Sequence, residues 1–371
     1  MNESIKKFIT CQIPVTICNF KCPYCYIDQT CVKNNKIIDF AIAPAEFAKK
    51  FSPEKMGGFC YFNLCGNGET MIHPQVNDLV YYLTKEGHYC DIITNGTYSK
   101  KFDELLEKLS KEQQKHLFIK FSFHYLELKR LKLMEQFLQN VEKIKKSEVS
   151  YTIEITPYDD LIPYIDEIKE FSLNNFGALP HITVARNMAT DKIEILTKLS
   201  KKDYYQIWKQ FDSKMFEFKY STFNVKRTEF CYAGEWSISI DLGTGIYKQC
   251  YCGAVLGNIK EKSDIKFLAC GKCREPHCYN GHAFLTFGDI PEMNTPTYAD
   301  MRDRITTNNE HWLKKDCREF FSTKLCDNNI EHSTNEQWKV IKQTNKLLVK
   351  QKIERIPDKM KNISKKLFNL K

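Results

Sequence analysis

The chain has 371 residues, 42% of them hydrophobic, which allows a sizeable core and exceeds what one compact unit usually needs. Its start, MNESIKKFIT, has no apolar run closing on a small-residue cleavage site, and no later stretch nears eighteen consecutive apolar residues, so the reading is a cytoplasmic protein without a transmembrane segment. Sixteen cysteines in a reducing compartment point to metal binding or thiol chemistry rather than disulfides. The net charge of +9 sits in the tail: from Glu336 to Lys371 eleven Lys or Arg face three acids, a surplus of eight, which leaves the body nearly neutral.

Taken in chain order, the first two hundred residues alternate strand-like and helix-like periods. The strands are read in FITCQIPVTI, FCYFNLC, YCDIITN, HLFIKFSF, VSYTIEI and PHITVAR. The helices after them are APAEFAKKF, PQVNDLVYYLTKEG, SKKFDELLEKLS, LELKRLKLMEQFLQNVEKIKK, YDDLIPYIDEIKEFS and KKDYYQIWKQF. Pro74 suits a first helical position and Gly87 a helix stop. Six such repeats predict an α/β fold, a partial (β/α)6 barrel of TIM type over residues 1–220, with its chemistry in the loops at the strands' C-terminal ends. Residues 225–290 form a small cysteine-rich module, with six cysteines and eight glycines between Phe230 and Ile290. Residues 291–371 read as a helical, basic C-terminal extension.

The loop after the first strand, TICNFKCPYC, places Cys18, Cys22 and Cys25 at a Cys-x3-Cys-x2-Cys spacing. Three thiolates can converge on one centre there, whereas a closed zinc site takes four ligands and a cubane normally takes four cysteines. A cubane on three thiolates keeps one iron free for another ligand. A zinc site completed by Cys11 or Cys31 is the competing reading. CNFKCPYC resembles the signature loop of the radical S-adenosylmethionine superfamily, and GNGET after the second strand is similar to that superfamily's next landmark.

The resemblance implies that Cys18, Cys22 and Cys25 bind a [4Fe-4S] cluster whose open iron takes the amino and carboxylate groups of S-adenosyl-L-methionine. Tyr24 would lie against the adenine. Gly66, Asn67, Gly68 and Glu69 would hold the methionine ammonium through carbonyls and the Glu69 carboxylate. Asn67 stands where many members have glycine. Asn95 in TNGT, Ser122 and His124 in FSFHY, and Arg186 in TVARN end later strands, where members contact the ribose or the cofactor's carboxylate. Each is equally readable as a strand-end residue satisfied by its own loop. The resemblance spans residues 8 to about 215 in organisation and rests on two short motifs.

Downstream stand Cys231, Cys250, Cys252, Cys270, Cys273 and Cys278. The run Cys231-x13-Gly245-x4-Cys250 resembles the start of SPASM and Twitch modules, which carry auxiliary iron-sulfur clusters, and CGKCREPHC resembles their later part. One spacing is a residue short, and His282 stands where a further cysteine is expected. One auxiliary iron-sulfur cluster is therefore expected, with a zinc ribbon as the alternative and Cys317 and Cys326 as distant spares. Cys11, Cys31, Cys60, Cys65 and Cys90 lie mostly in apolar strands and read as buried thiols, with Cys31 and Cys65 near enough to the signature loops to react.

The implied activity is reductive cleavage of S-adenosylmethionine to a 5′-deoxyadenosyl radical, which abstracts a hydrogen atom in the oxidation or modification of a small molecule, such as a sugar or alcohol, or of a peptide. A reductant such as flavodoxin or ferredoxin is the implied partner, no nucleic acid is expected, and no catalytic acid or base is assigned. With Cys18 so near the start, no leader-recognition domain is expected ahead of the barrel. The alternative is an iron-sulfur or zinc redox sensor that binds nucleic acid through the basic tail. In that tail Ile353, Ile356, Met360, Ile363, Leu367 and Leu370 mark an apolar stripe, broken by Pro357, that is expected to dock on the protein itself.

Overall fold

The computed structural model describes residues 4–30, 34–189 and 193–354. Near-continuous apolar runs become parallel strands covered on both faces. They are β1 (Lys7–Ile13), β2 (Cys60–Gly66), β3 (Tyr89–Thr94), β4 (Leu117–Ser122), β5 (Ser150–Ile155) and the short β6 (His181–Ile182), paired in parallel in that order. All six fall on the runs predicted, with Lys7 and Gly66 the only residues outside them, and helices follow the strands as the partial barrel requires.

Two helices depart from expectation. The long one after β4 breaks into Tyr125–Leu131 and Met134–Lys145, because Lys132 takes a left-handed conformation, φ 57°. Pro163 limits the start of the next to a 3-10 turn, Asp159–Tyr164, before Ile165–Phe176. Gly87, at φ 85°, ends the helix Val76–Lys85 as predicted, while Pro74 lies ahead of its first turn.

The cysteine-rich segment continues the barrel sheet. Strand Ser237–Asp241 pairs in parallel with the outer edge of β1, and Ile246–Lys248 and Val255–Asn258 extend it antiparallel, giving nine strands in one sheet. The helix Thr334–Glu354 covers this extension: Thr344 Oγ1 donates to the Ala269 carbonyl at 2.8 Å, and the Gln351 amide bonds both backbone groups of Val255. That pairing occupies an otherwise open strand edge. Of the predicted apolar stripe only Ile353 is described, and it is exposed; the rest lies outside the described residues.

Outward positions such as Ile9, Ile13, Leu64, Ile92, Phe121 and Ile153 pack under the helices. Inward positions change character along each strand. At the N-terminal ends Phe8, Tyr61, Tyr89 and Phe118 form an aromatic plug with Phe284, Phe287, Tyr298, Phe320 and Phe321 from the C-terminal segment. Two residues further on, the inward side chains are Thr10, Asn63, Asp91 and Lys120, and then Gln12, Cys65, Ile93 and Ser122. The plug closes one end of the barrel, and the polar positions face a cavity at the other.

Candidate active site

The cavity measures about 500 Å³ and is lined by residues of β1 to β4, by Thr156 and Thr183 just beyond β5 and β6, by the loop of Cys18, Cys22 and Cys25, and by Tyr251, Tyr279, Asn280 and His282 of the cysteine-rich segment. Register explains why the two predicted motifs meet there. Ile13 at the end of β1 stands opposite Gly66 at the end of β2, so the cysteine loop and the GNGE turn leave the sheet side by side. The Glu69 N–H donates to the Ile17 carbonyl at 2.8 Å. A Cβ on Gly68 would lie 2.1 Å from that same carbonyl oxygen, so only glycine lets the turn seat against the loop.

The loop is held from several sides. The Phe20 N–H donates to Cys18 Sγ at 3.4 Å, and the Lys21 N–H donates to the Glu127 carboxylate at 3.1 Å, which Arg130 grips with two further bonds. Burial, with Cys18 and Cys25 adding to it against a bond from Tyr24, pushes the Cys22 thiol up to about 12. A positive centre among these sulfurs would reverse that cost. Glu69 is buried, and burial raises its pKa. Its carboxylate accepts from Thr94 Oγ1 at 2.6 Å, the Met71 N–H at 3.0 Å and the Asn95 N–H at 2.7 Å. Those three bonds fix the group and leave acceptor capacity for a cation in the cavity.

The other predicted contacts also line the cavity, in different states. Tyr24 shares a 2.6 Å hydrogen bond with His124 Nδ1, and its ring lies 4.2 Å from that of Tyr158. Burial lowers the His124 pKa to about 4 and keeps the imidazole neutral. The Asn95 side chain joins two loops: its amide donates to Asn19 Oδ1 at 2.7 Å and its oxygen accepts from Thr97. Arg186 donates to the Tyr279 carbonyl at 3.1 Å and lies over the Tyr26 ring. Ser122 stands at the end of β4.

Sequence reading missed the charges at this cavity: Lys120 and Lys219 line it, and Asp91, Glu154 and Arg302 act on them from outside the lining. Lys120 Nζ lies 2.6 Å from Asp91, which also accepts from Tyr61 and from Asn63 at 2.8 Å; Arg302 pairs with Glu154. Lys219, from the helix Lys214–Thr222, donates to Thr183 Oγ1 and lines the same space with His282. One signal was available. Asn63, Asp91, Lys120 and Glu154 interrupt apolar strands at inward positions, where an uncompensated charge would be costly.

The six downstream cysteines gather in one place. Cys231 stands opposite Gly271 in a two-stranded ladder, the Cys270 N–H donates to the Ala233 carbonyl at 2.7 Å, and buried Gln249 beside Cys250 donates to the Leu268 and Ala269 carbonyls. Burial raises every one of these thiols, Cys250 to about 11 and Cys252 to about 12. Cys250 and Cys273 add to the effect at Cys252, Cys270 and Cys278. Sulfurs that destabilise one another's thiolates suit a shared positive centre. Among the described residues, however, no three His, Cys, Asp or Glu side chains close on one point as a single-ion site requires.

His282 lines the main cavity and, together with Cys278, a smaller one next to it. Cys317 is buried at the barrel's other end, where its Sγ donates to the Lys115 carbonyl at 3.2 Å. Cys11, Cys60 and Cys90 are buried in the strands as expected, Cys65 reaches the cavity, and Cys31 lies outside the described residues. Among the described residues no helix is long and apolar enough to cross a membrane.

Residues 13–159 match the model of the radical SAM superfamily. No curated protein matches the chain in sequence. Among solved structures, a histidine-tagged anSMEcpe with bound AdoMet is 15% identical with a TM-score of 0.50, the match covering 95% of this chain and 96% of that one. Streptococcus suis SuiB bound to S-adenosylmethionine is 14% identical with a TM-score of 0.47 over 70% of this chain, which spans 64% of SuiB's length. BtrN in complex with AdoMet and 2-DOIA is 14% identical with a TM-score of 0.36, over 71% of this chain and 81% of that one. At these identities the likeness is one of fold.

Proposed function

We propose, from the match of residues 13–159 to the radical SAM superfamily model, that the chain reductively cleaves S-adenosylmethionine and uses the product to take a hydrogen atom from a small molecule or a peptide. The observation that carries this reading is the joint between the two motifs: Cys18, Cys22 and Cys25 open on the same cavity as Glu69, and Gly68 packs directly on Ile17 of the cysteine loop. When bound, a [4Fe-4S] cluster with S-adenosylmethionine supplies the electron transfer and the radical.

The chain's own residues do the rest. Cys18, Cys22 and Cys25 would hold the cluster through three thiolates. Glu69, fixed by Thr94, Met71 and Asn95, would receive the cofactor's ammonium on its remaining acceptor capacity. Tyr24, Asn67, Ser122, His124 and Arg186 line the space for the remainder of the cofactor, and Asn95 braces the cysteine loop through Asn19. The plug of Phe8, Tyr61, Phe287 and Phe321 closes the barrel below and excludes water from that side. The thiols Cys231, Cys250, Cys252, Cys270, Cys273 and Cys278 supply four or more ligands for one auxiliary cluster, which would accept an electron or hold substrate. A reductant such as flavodoxin or ferredoxin is the partner this chemistry needs.

The family match favours this enzyme over a nucleic-acid-binding redox sensor. Anaerobic reconstitution with iron and sulfide, followed by reduction with S-adenosylmethionine present, should yield 5′-deoxyadenosine and an iron content above that of a single cubane. Reconstituted protein that holds iron and sulfide yet forms no 5′-deoxyadenosine overturns the reading.

A further inference from the structure

Around the cavity four cations, Lys120, Arg302, Arg186 and Lys219, face three carboxylates, Asp91, Glu154 and Glu69, and Glu69 is already committed to Thr94, Met71 and Asn95. Asp91 is taken by Lys120 at 2.6 Å, and Glu154 by Arg302. Arg186 and Lys219 line the same space, and among the described residues neither has a carboxylate within ion-pair distance. If Arg186 is assigned to the carboxylate of S-adenosylmethionine, Lys219 is still left over. Its Nζ has one protein acceptor among the described residues, Thr183 Oγ1, although an ammonium has three donors.

The surroundings register the surplus. Burial first, then Arg186, Arg302 and Lys120, push the Lys219 pKa down to about 7, with Glu154 opposing. After burial, Lys219 is the largest of the cations that hold His282 neutral. A half-buried ammonium with one neutral partner gains from an anion that joins it.

We propose that Lys219 seats an oxyanion of the substrate, a carboxylate or a phosphate, against Thr183 on the wall formed by β6 and the helix Lys214–Thr222. The proposal rests on the reading of this cavity as the place where a substrate is held for hydrogen abstraction. The anion takes the two open donors of the ammonium, and the neutral His282 beside it can donate a hydrogen bond without adding charge. The substrate is thereby anchored by its charged end while the reacting carbon remains toward the cysteine loop.

The test is competitive reductive methylation of the reconstituted full chain in sodium phosphate, sodium acetate and sodium chloride at equal ionic strength, read peptide by peptide by mass spectrometry. An oxyanion that binds slows methylation of Lys219 by one plus the ratio of its concentration to its Kd, about fivefold at four times Kd. Exposed Lys100 should react equally in all three salts. Protection by phosphate alone assigns a phosphorylated substrate, protection by acetate alone a carboxylate, and protection by both a seat that accepts either. Equal labelling of Lys219 in all three salts overturns the proposal.

Two variants check the same point by another readout. Lys219→Met should lose the rise in melting temperature that the oxyanion gives over chloride, and Lys219→Arg should keep it; a full rise in Lys219→Met also overturns the proposal. Protection of Lys219 does not require cofactor cleavage. Protein that is protected but forms no 5′-deoxyadenosine keeps the oxyanion seat and refutes the proposed function, and the reverse result refutes the seat alone.

Discussion

Cys18, Cys22 and Cys25 come from one loop between β1 and β2, whereas the thiols from Cys231 to Cys278 come from four separate segments brought together by a ladder, a buried amide and a sheet extension. In the first region the chain's local path sets how far apart the sulfurs can lie, and neighbouring strands fix where the loop points. In the second, the sulfurs meet only after Gln249, Thr344 and the Phe230–Cys231 strand are in place. The first site depends on a few close contacts of one loop, and the second depends on the fold of a whole module. Damage to one should therefore spare the other.

The largest effect is expected from replacing Cys18, Cys22 and Cys25 together with Ala. Formation of 5′-deoxyadenosine should fall to background, and the protein should lose about four irons per chain, the content of one cubane. Iron-sulfur absorption from the second region should persist. Stoichiometric zinc with no cluster absorption in this variant would show that the downstream thiols form a zinc site, and parent levels of 5′-deoxyadenosine would remove the first site from the chemistry.

A smaller and more selective pair of changes uses one glycine from each region. In Gly68→Ala the new methyl meets the Ile17 carbonyl at 2.1 Å, a contact backbone movement alone can relieve, so the turn must leave the cysteine loop. Affinity for S-adenosylmethionine should drop at least about tenfold, or 1.4 kcal/mol, by calorimetry. In Gly234→Ala the residue sits at φ 102° with the methyl 2.2 Å from the Leu268 carbonyl, which should cost about 1–3 kcal/mol and loosen the ladder beside Cys231. Iron bound in the second region should then fall while cofactor affinity holds. Loss of cofactor affinity in Gly234→Ala as well would mean that the sheet extension on β1 couples the two sites.

The same contrast explains what could be read from the chain before folding. The six strands were legible because parallel strands covered on both faces are apolar throughout, and the three-cysteine loop because its spacing is local. The break at Lys132 was not legible, since no Gly or Pro marks it and a left-handed lysine is set by packing of the two helices. Nor was the role of the segment after Pro291. Its composition reads as polar and helical, yet Tyr298, Phe320 and Phe321 enter the aromatic plug and Arg302 reaches Glu154. Lys219 and His282 come from two helices, Lys214–Thr222 and Gly281–Phe284, whose local sequence carries no cavity signal, and only the closure of the barrel brings them to one wall.

The smallest effect concerns the frame that both regions share, through a histidine beneath the start of β2. His88 Nδ1 accepts the Cys60 N–H at 3.1 Å, and Nε2 lies 2.8 Å from the Phe51 carbonyl, to which it donates. That pattern needs the neutral ring, because protonation of Nδ1 would break the first bond. Burial accordingly lowers the pKa to about 4 from an ordinary 6.5. Between those values the unfolded chain binds the proton and the folded chain does not, so stability present above pH 6.5 is lost as the pH falls toward 4. At about pH 5.5 the loss from this one residue should be on the order of 1 kcal/mol. Urea unfolding at about pH 7.5 and about pH 5.5 should show the parent losing about that much more than His88→Gln, whose amide can keep both bonds without titrating. Equal losses in the two proteins would mean that the ring is not held neutral, and that acid weakens the barrel elsewhere.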